Sequence, residues 1–253
     1  MTDNDQQLGR TGTWAITRLH NAMVIIEIDD ATILTDPWFV DSRAFDGCSP
    51  LGVGDLPRLT AIIGCHWVKD HWGMKQMASY PYKATPVYVS EANMAEQAQK
   101  YGFDNVEVLE WDQARTLTDK VTLRALEEHI GRGNRSNNYA IAGSEGRLFF
   151  GGEVLDLEAI ERCGQTYGPF DVAIGPVNGV HLLGRQLTVT AAEMVQATRL
   201  LGAPKLLPIH DEHKSFGPLL KISSSARDLD NLDHEGIDVI ELALGERYAA
   251  PTR

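Results

Sequence analysis

Four apolar, strand-like runs in this chain each end on a residue able to bind a metal. Leu59-Thr60-Ala61-Ile62-Ile63-Gly64 runs straight into Cys65-His66-Trp67-Val68-Lys69-Asp70-His71-Trp72. Val121 to Leu126 leads to His129, Arg147 to Gly152 leads to Glu153, and Lys205 to Ile209 leads to His210. In an open α/β structure the carboxyl ends of parallel strands lie along one edge, and ligand-binding groups gather there. Imidazoles mixed with carboxylates are the donor set of zinc and similar borderline metals. The pattern therefore points to an α/β fold with a metal centre at one sheet edge.

Composition narrows the partners. The chain has 253 residues and a net charge of −12, with no block rich in Lys and Arg. Phosphate backbones and anionic membrane surfaces are held by clustered positive charge, so neither nucleic acid nor a membrane is an expected partner. No apolar stretch approaches the ~20 residues of a spanning helix. Met1 to Gln7 is polar and acidic, without the basic region and apolar core of a secretory signal. Cys48, Cys65 and Cys163 are widely spaced and odd in number, which fits a reducing, cytoplasmic setting better than a disulfide framework.

Local signals set the expected elements. Residues 1–12 read as a loose arm and residues 13–253 as one domain. Short strands are expected over Thr13 to Leu19, Ala22 to Ile28 and Ala31 to Leu34, the last two joined at Asp29-Asp30 as a hairpin. Residues 41–58 read as a long loop. Helices are expected over Gly73 to Ser79, Glu91 to Tyr101 and Ser223 to Leu232. The clearest helix runs from Ala191 to Leu201, where Thr190 and Glu193 form a capping-box pattern and Gly202 and Pro204 supply the stop. Strands are expected over Pro86 to Val89, Val106 to Leu109 and Val239 to Leu244. Gly143-Ser144-Glu145-Gly146 reads as a hairpin turn.

The segment from His66 to His71 resembles the His-x-His-x-Asp-His signature of the metallo-β-lactamase fold hydrolases. In that register His66 matches the first His, Val68 the second, Asp70 the Asp and His71 the last His. His20-Asn21-Ala22 with Ile33-Leu34-Thr35-Asp36-Pro37 is similar to the N-terminal pattern of the branch containing UlaG-like lactonases and N-acyl-phosphatidylethanolamine phospholipase D-like proteins. His129 to Asn137 is similar to that branch's His-x-x-x-Arg-Gly loop, with Arg132-Gly133 one residue early. Gly151-Gly152-Glu153 and Pro208-Ile209-His210 stand where the family has Gly-Asp-Thr and Pro-x-His. The resemblance implies a four-layer αββα sandwich and a hydrolase using a metal-activated water.

The resemblance also implies two ligand sets. One would use His66, Val68 and His129, the other Asp70, His71 and His210, with Glu153 as bridge. Val68 cannot bind a metal, so the second set is complete and the first is not. About one divalent ion per chain is expected, zinc first, with manganese or iron as alternatives. Metal retention is expected to depend more on His71 and His210 than on His66, and Val68→His to raise the stoichiometry. Asp70 or Glu153 is the candidate to orient or deprotonate water. Lys69, Arg132 and Trp67 are the candidate substrate contacts, with Trp38 and Trp72 as further pocket walls. His20 and Asp36 are expected just behind the ligands. A single histidine is more often a core or loop residue than a ligand; position at a strand end in family order is what favours ligation here. The substrate expected is a small anionic ester, lactone, amide or phosphodiester, and a homo-oligomer is compatible with the sequence. A non-hydrolytic metal enzyme, or a binding protein that has lost its metal, is the alternative.

Overall fold

The computed structural model describes residues 14–130, 134–144, 146–217 and 219–251. In chain order the first strands are β1 (Trp14–His20), β2 (Met23–Ile28), β3 (Ala31–Thr35), β4 (Ala61–Gly64), β5 (Val87–Val89) and β6 (Val106–Val108). Helix α1 (Ala92–Lys100) separates β5 from β6. Next come β7 (Ala114–Thr116), β8 (Thr122–Ile130), β9 (Asn134–Ala142), β10 (Arg147–Phe150), α2 (Leu157–Tyr167) and β11 (Val172–Pro176). They are followed by β12 (Val180–Leu182), β13 (Arg185–Gln186), α3 (Ala191–Leu200), β14 (Lys205–Ile209), β15 (Leu220–Ile222), β16 (Asp238–Val239) and β17 (Arg247–Ala249).

Two seven-stranded sheets form, ordered β17-β1-β2-β3-β4-β5-β6 and β16-β14-β11-β10-β9-β8-β7. Each is part antiparallel, part parallel. Strands β3 to β6 run parallel, as do β10, β11, β14 and β16. Period-two side-chain alternation then builds the layers. Val24, Ile26 and Ile63 from the first sheet meet Leu123, Ile141, Phe150 and Ile174 from the second in one central core. The intervening residues of the first sheet, Met23, Ile25 and Ile62, pack outward with Met94 and Ala98 of α1. On the other outer face Ala140, Phe149 and Ala173 pack against Ile160 of α2 and Met194 and Val195 of α3. This is the αββα sandwich that the sequence resemblance implies.

Helix α3 starts where expected, with the Thr190 and Glu193 side chains closing a reciprocal capping box. Three local expectations are revised. Gly73 to Ser79 holds only a 3-10 turn over Gln76–Ser79, and Ser223 to Leu232 only one over Ala226–Asn231. The closing edge strand is β17, pairing with β1, and the expected Val239 to Leu244 strand reduces to β16. Helix α2 is absent from the sequence expectation. Its signals are the Asp156 side chain, which accepts from Ala159 N at 3.0 Å, and the buried Ala159, Ile160 and Cys163. The expected arm over residues 1–12 lies outside the described residues. Among the described residues no helix is long and apolar enough to cross a membrane.

Candidate metal centre

The parallel strands end at one edge, and the segments leaving them carry the donors. After β4, Cys65 drops into the central core and the chain turns sharply: Val68 O accepts from His71 N and Trp72 N, both at 3.0 Å. That turn swings Asp70 and His71 inward. After β10, Gly151-Gly152 carries Glu153 to the same edge. A Cβ on Gly152 would overlap Asp36 Oδ2 and crowd Cys65 Sγ, so glycine permits the close passage. After β14, His210 takes the left-handed conformation, φ 62°, while its N–H donates to Asn21 O at 3.1 Å. Asn21 and Asp36 also have positive φ, 52° and 36°. Such backbone costs roughly 1–2 kcal/mol per non-glycine residue, and strain of this kind concentrates at functional sites.

Asp70, His71 and His210 bring one ligand atom each within 4.8 Å of one another. His71 Nε2 and His210 Nε2 face each other at 2.9 Å. Asp70 Oδ2 lies 3.8 Å from the first and 3.7 Å from the second. Glu153 Oε1 lies 3.4 Å and 3.9 Å from the same two nitrogens. Metal bonds of ~2.0–2.2 Å at tetrahedral angles would set donors roughly 3.3–3.6 Å apart. Asp70, His71 and His210 therefore converge as a three-donor group at roughly the spacing of ligands to one ion, and Glu153 Oε1 borders its two imidazoles.

Each donor is held from behind. Asp36 Oδ2 accepts from His71 Nδ1 at 2.7 Å, which turns the Nε2 of that ring toward the other donors. The Asn178 carboxamide lies 2.9 Å from His210 Nδ1 and is itself anchored by Thr188 Oγ1 at 2.9 Å. Asp70 is gripped by Asn21, whose Nδ2 donates to the Asp70 backbone oxygen at 2.9 Å, and by His213 Nε2, 3.1 Å from Oδ2. Burial works against charge on His71, but Asp36 and Glu153 hold its imidazolium and lift its pKa well above the ordinary value. Burial, then the neighbouring His213, pushes His210 down to about 4. Burial would raise Asp70, yet His210 and His213 draw it well below the usual carboxylate range. Glu153 is likewise lowered against its burial, chiefly by His71.

A β-lactamase superfamily domain model matches residues 31–210, a span running from β3 through Asp36, Asp70, His71 and Glu153 to His210. The chain belongs to the β-lactamase superfamily. A UPF0173 metal-dependent hydrolase of Pyrobaculum aerophilum is 28% identical over 204 residues, covering 79% of this chain and 84% of the relative. An uncharacterized protein of Mycobacterium bovis is 21% identical over 226 residues, covering 80% of this chain, which spans only 59% of that relative's length. The crystal structure of an isothiocyanate hydrolase from Delia radicum gut bacteria is similar with a TM-score of 0.76 at 18% identity, covering 94% of this chain and 99% of that one. At that identity the likeness is one of fold.

Within this superfamily chain, the incomplete ligand set stays apart. His129 does not join the donors: its side chain is 42% exposed, its Nε2 lies 2.9 Å from Glu127 Oε1, and its ring meets Trp111 edge-on. The strand end is right and the face is wrong. Glu128, the next residue back, is the one turned inward. Its carboxylate accepts from Leu155 N, Asp156 N and Asn138 Nδ2, and so shapes the turn just after Glu153. Burial lifts the Glu128 pKa to about 8 even against those hydrogen bonds. Neighbouring strand residues face opposite sides, so His129 points away where Glu128 points in. His66 is buried beside the group, its ring 6.4 Å from that of His71, and its Nδ1 has no hydrogen-bond partner among the described residues.

His20 is fully buried, stacked on Trp38 with ring centres 5.0 Å apart and tilted against Phe45 at 5.8 Å. Its neighbour Asn21 holds Asp70. Trp67 is 43% exposed and lies edge-on to His66. Lys69 borders a cleft beside Asp70, as do Trp38 and Trp72. The Arg132 expectation falls outside the described residues. Asn21, Asn178 and Thr188 were missed, because short polar residues in loops carry no ligand pattern; only the adjacent His20-Asn21-Ala22 motif pointed near one of them.

Proposed function

We propose that this chain is a metal-dependent hydrolase in which Asp70, His71, Glu153 and His210 hold one divalent ion, zinc first. The observation that carries this reading is the convergence of Asp70, His71 and His210, with Glu153 beside the two imidazoles and both far ring nitrogens already engaged by Asp36 and Asn178. A divalent ion there supplies Lewis acidity and lowers the pKa of bound water from about 15.7 to roughly 7. The chain's own groups do the rest. Asp36 and Asn178 fix the rings, so little reorganisation is needed. Asp70 is the donor that lines the open cleft, so it is the carboxylate placed to orient an entering water or accept its proton. Glu153 lies on the enclosed side, within electrostatic reach of His66.

The names of the relatives, a metal-dependent hydrolase and an isothiocyanate hydrolase, agree with hydrolysis as the reaction class. Esters, lactones, amides and phosphodiesters of small molecules are the bonds to try, in keeping with the UlaG-like or phospholipase D-like branch. Lys69 is the proposed substrate anchor. The test is turnover of such a panel by metal-loaded protein in oxygen-18 water. One labelled oxygen should enter the product, and His210→Ala should abolish the reaction. Product formation without label would overturn the hydrolytic reading.

A further inference from the structure

The cleft beside Asp70 has a volume of about 670 Å³, within the range of sites that take small organic ligands. Much of its wall is apolar. Trp38, Val40, Phe45, Trp72, Phe216 and Leu220 line it. Three rings form a continuous run toward the ligand group: Trp38 to Phe45 at 4.4 Å, and Phe45 to His213 at 4.1 Å. His213 in turn touches Asp70 Oδ2. At the outer end Phe216 is 66% exposed. An aromatic ring left this open at the mouth of an apolar cleft is surface that a ligand could cover.

Three lysines also border the cleft, and they differ. Lys214 Nζ is tied to Asp46 Oδ1 at 2.7 Å. Lys69 and Lys75 are exposed and pair with no carboxylate among the described residues. On a chain of net charge −12, two unpaired ammonium groups flanking an apolar wall form a local positive site. Lysine acts there as a point charge for a carboxylate or phosphate oxygen.

We propose that this cleft binds an anionic amphiphile: an alkyl or aryl body of about eight to ten carbons against the aromatic run, with its anionic group on Lys69 and Lys75. The inference rests on the hydrolase reading only in taking Asp70 as the reacting end of the cleft. The body then lies along Trp38 and Phe45, and the scissile bond comes to the end marked by Asp70 and His213. The anion stays at the rim, where water still reaches it and its desolvation cost is small.

Binding is read directly, so its outcome is separate from turnover. Calorimetric titration of the metal-loaded protein with butanoate, hexanoate, octanoate and decanoate, each below its aggregation concentration, should show one site per chain. Affinity should rise roughly threefold per added methylene, somewhat below the limit for full burial. Decanol should bind more weakly than decanoate. The double variant Lys69→Gln/Lys75→Gln should lose tenfold or more for decanoate while leaving decanol unchanged. Lys214→Gln, whose charge is already neutralised, should change decanoate binding by less than about twofold. No gain along the chain-length series would overturn the apolar half of the proposal. Equal binding of decanoate and decanol, or a loss in Lys214→Gln matching that of the double variant, would overturn the anionic half. A protein that binds decanoate as expected but hydrolyses nothing would refute the hydrolase reading and leave this one standing.

Discussion

His71 follows β4 of one sheet and His129 lies near the end of β8 in the other, and the two imidazoles end in opposite surroundings. His71 is fully buried, with Asp36 behind it and Asp70, Glu153 and His210 before it. His129 lies 42% exposed against Glu127 and Trp111. The difference separates arriving at an edge from being aimed at it. Strand direction brings a residue to the edge, whereas the face of the strand, and a partner for the far ring nitrogen, decide whether its lone pair meets other donors. Val68 sits on the same side of this divide as His129. With no imidazole at position 68 and His129 turned out, His66 is left buried, its Nδ1 without a partner among the described residues.

The sharpest test of the comparison is ligand removal. His71→Ala and His210→Ala should each weaken zinc retention by well over 100-fold, more than the 10- to 100-fold typical of changes behind the ligands. His66→Ala should cost far less under equal dialysis. If His66→Ala alone strips the metal, the two halves have been assigned the wrong way round. Asp36→Asn comes next. It removes the carboxylate that orients His71 and should lower metal affinity by about 10- to 100-fold, with little loss of far-ultraviolet dichroism. An affinity equal to wild type would mean that Asp36 serves the backbone at Cys65 alone, whose N–H it accepts at 2.6 Å.

Proton linkage gives a smaller, graded effect. Without metal the pKa of His71 is raised well above 6.5 by its carboxylate neighbours, so near neutral pH it carries a proton that must leave before Nε2 can bind. Metal affinity should therefore climb about tenfold per pH unit upward from pH 6.5 and level off above the raised pKa of His71. Calorimetry in buffers of different ionisation enthalpy should show about one proton released per ion bound at pH 7. Affinity that is flat from pH 6.5 to 7.5 would refute a protonated His71.

The mildest effects belong to the dispersed half. His129→Ala should change metal affinity by less than about threefold. Val68→His adds an imidazole two residues from His66 while His129 stays turned away. Any second ion should then bind at least ~100-fold more weakly than the first. Two equivalent tight sites in the wild type would break the comparison altogether.

Much of the frame was legible in the chain. The hairpin at Asp29-Asp30, the capping box at Thr190 and the apolar runs before His66, Glu153 and His210 are local signals, and local geometry obeys them. Helix α2 went unread because its capping Asp156 and its apolar Ala159, Ile160 and Cys163 follow directly on the motif at Glu153. The 3-10 turns at Gln76–Ser79 and Ala226–Asn231 were expected as longer helices. Both segments are too short to sustain a helix without packing to support it.

The sequence by itself determined which residues reach the edge, because apolar runs of strand length place their last residues at strand ends. It also determined that the ligand set the resemblance implies for His66 and His129 lacks a donor, since no fold can make Val68 one. Tertiary structure alone decided the rest. Which way His129 faces depends on the pairing of β8 with β9, where one residue of register reverses a side chain. That Asp36, Asn178 and His213 brace the donors depends on loops 32 to 143 residues distant in the chain. Such contacts follow no local pattern; they exist only once the two sheets have closed on their shared core.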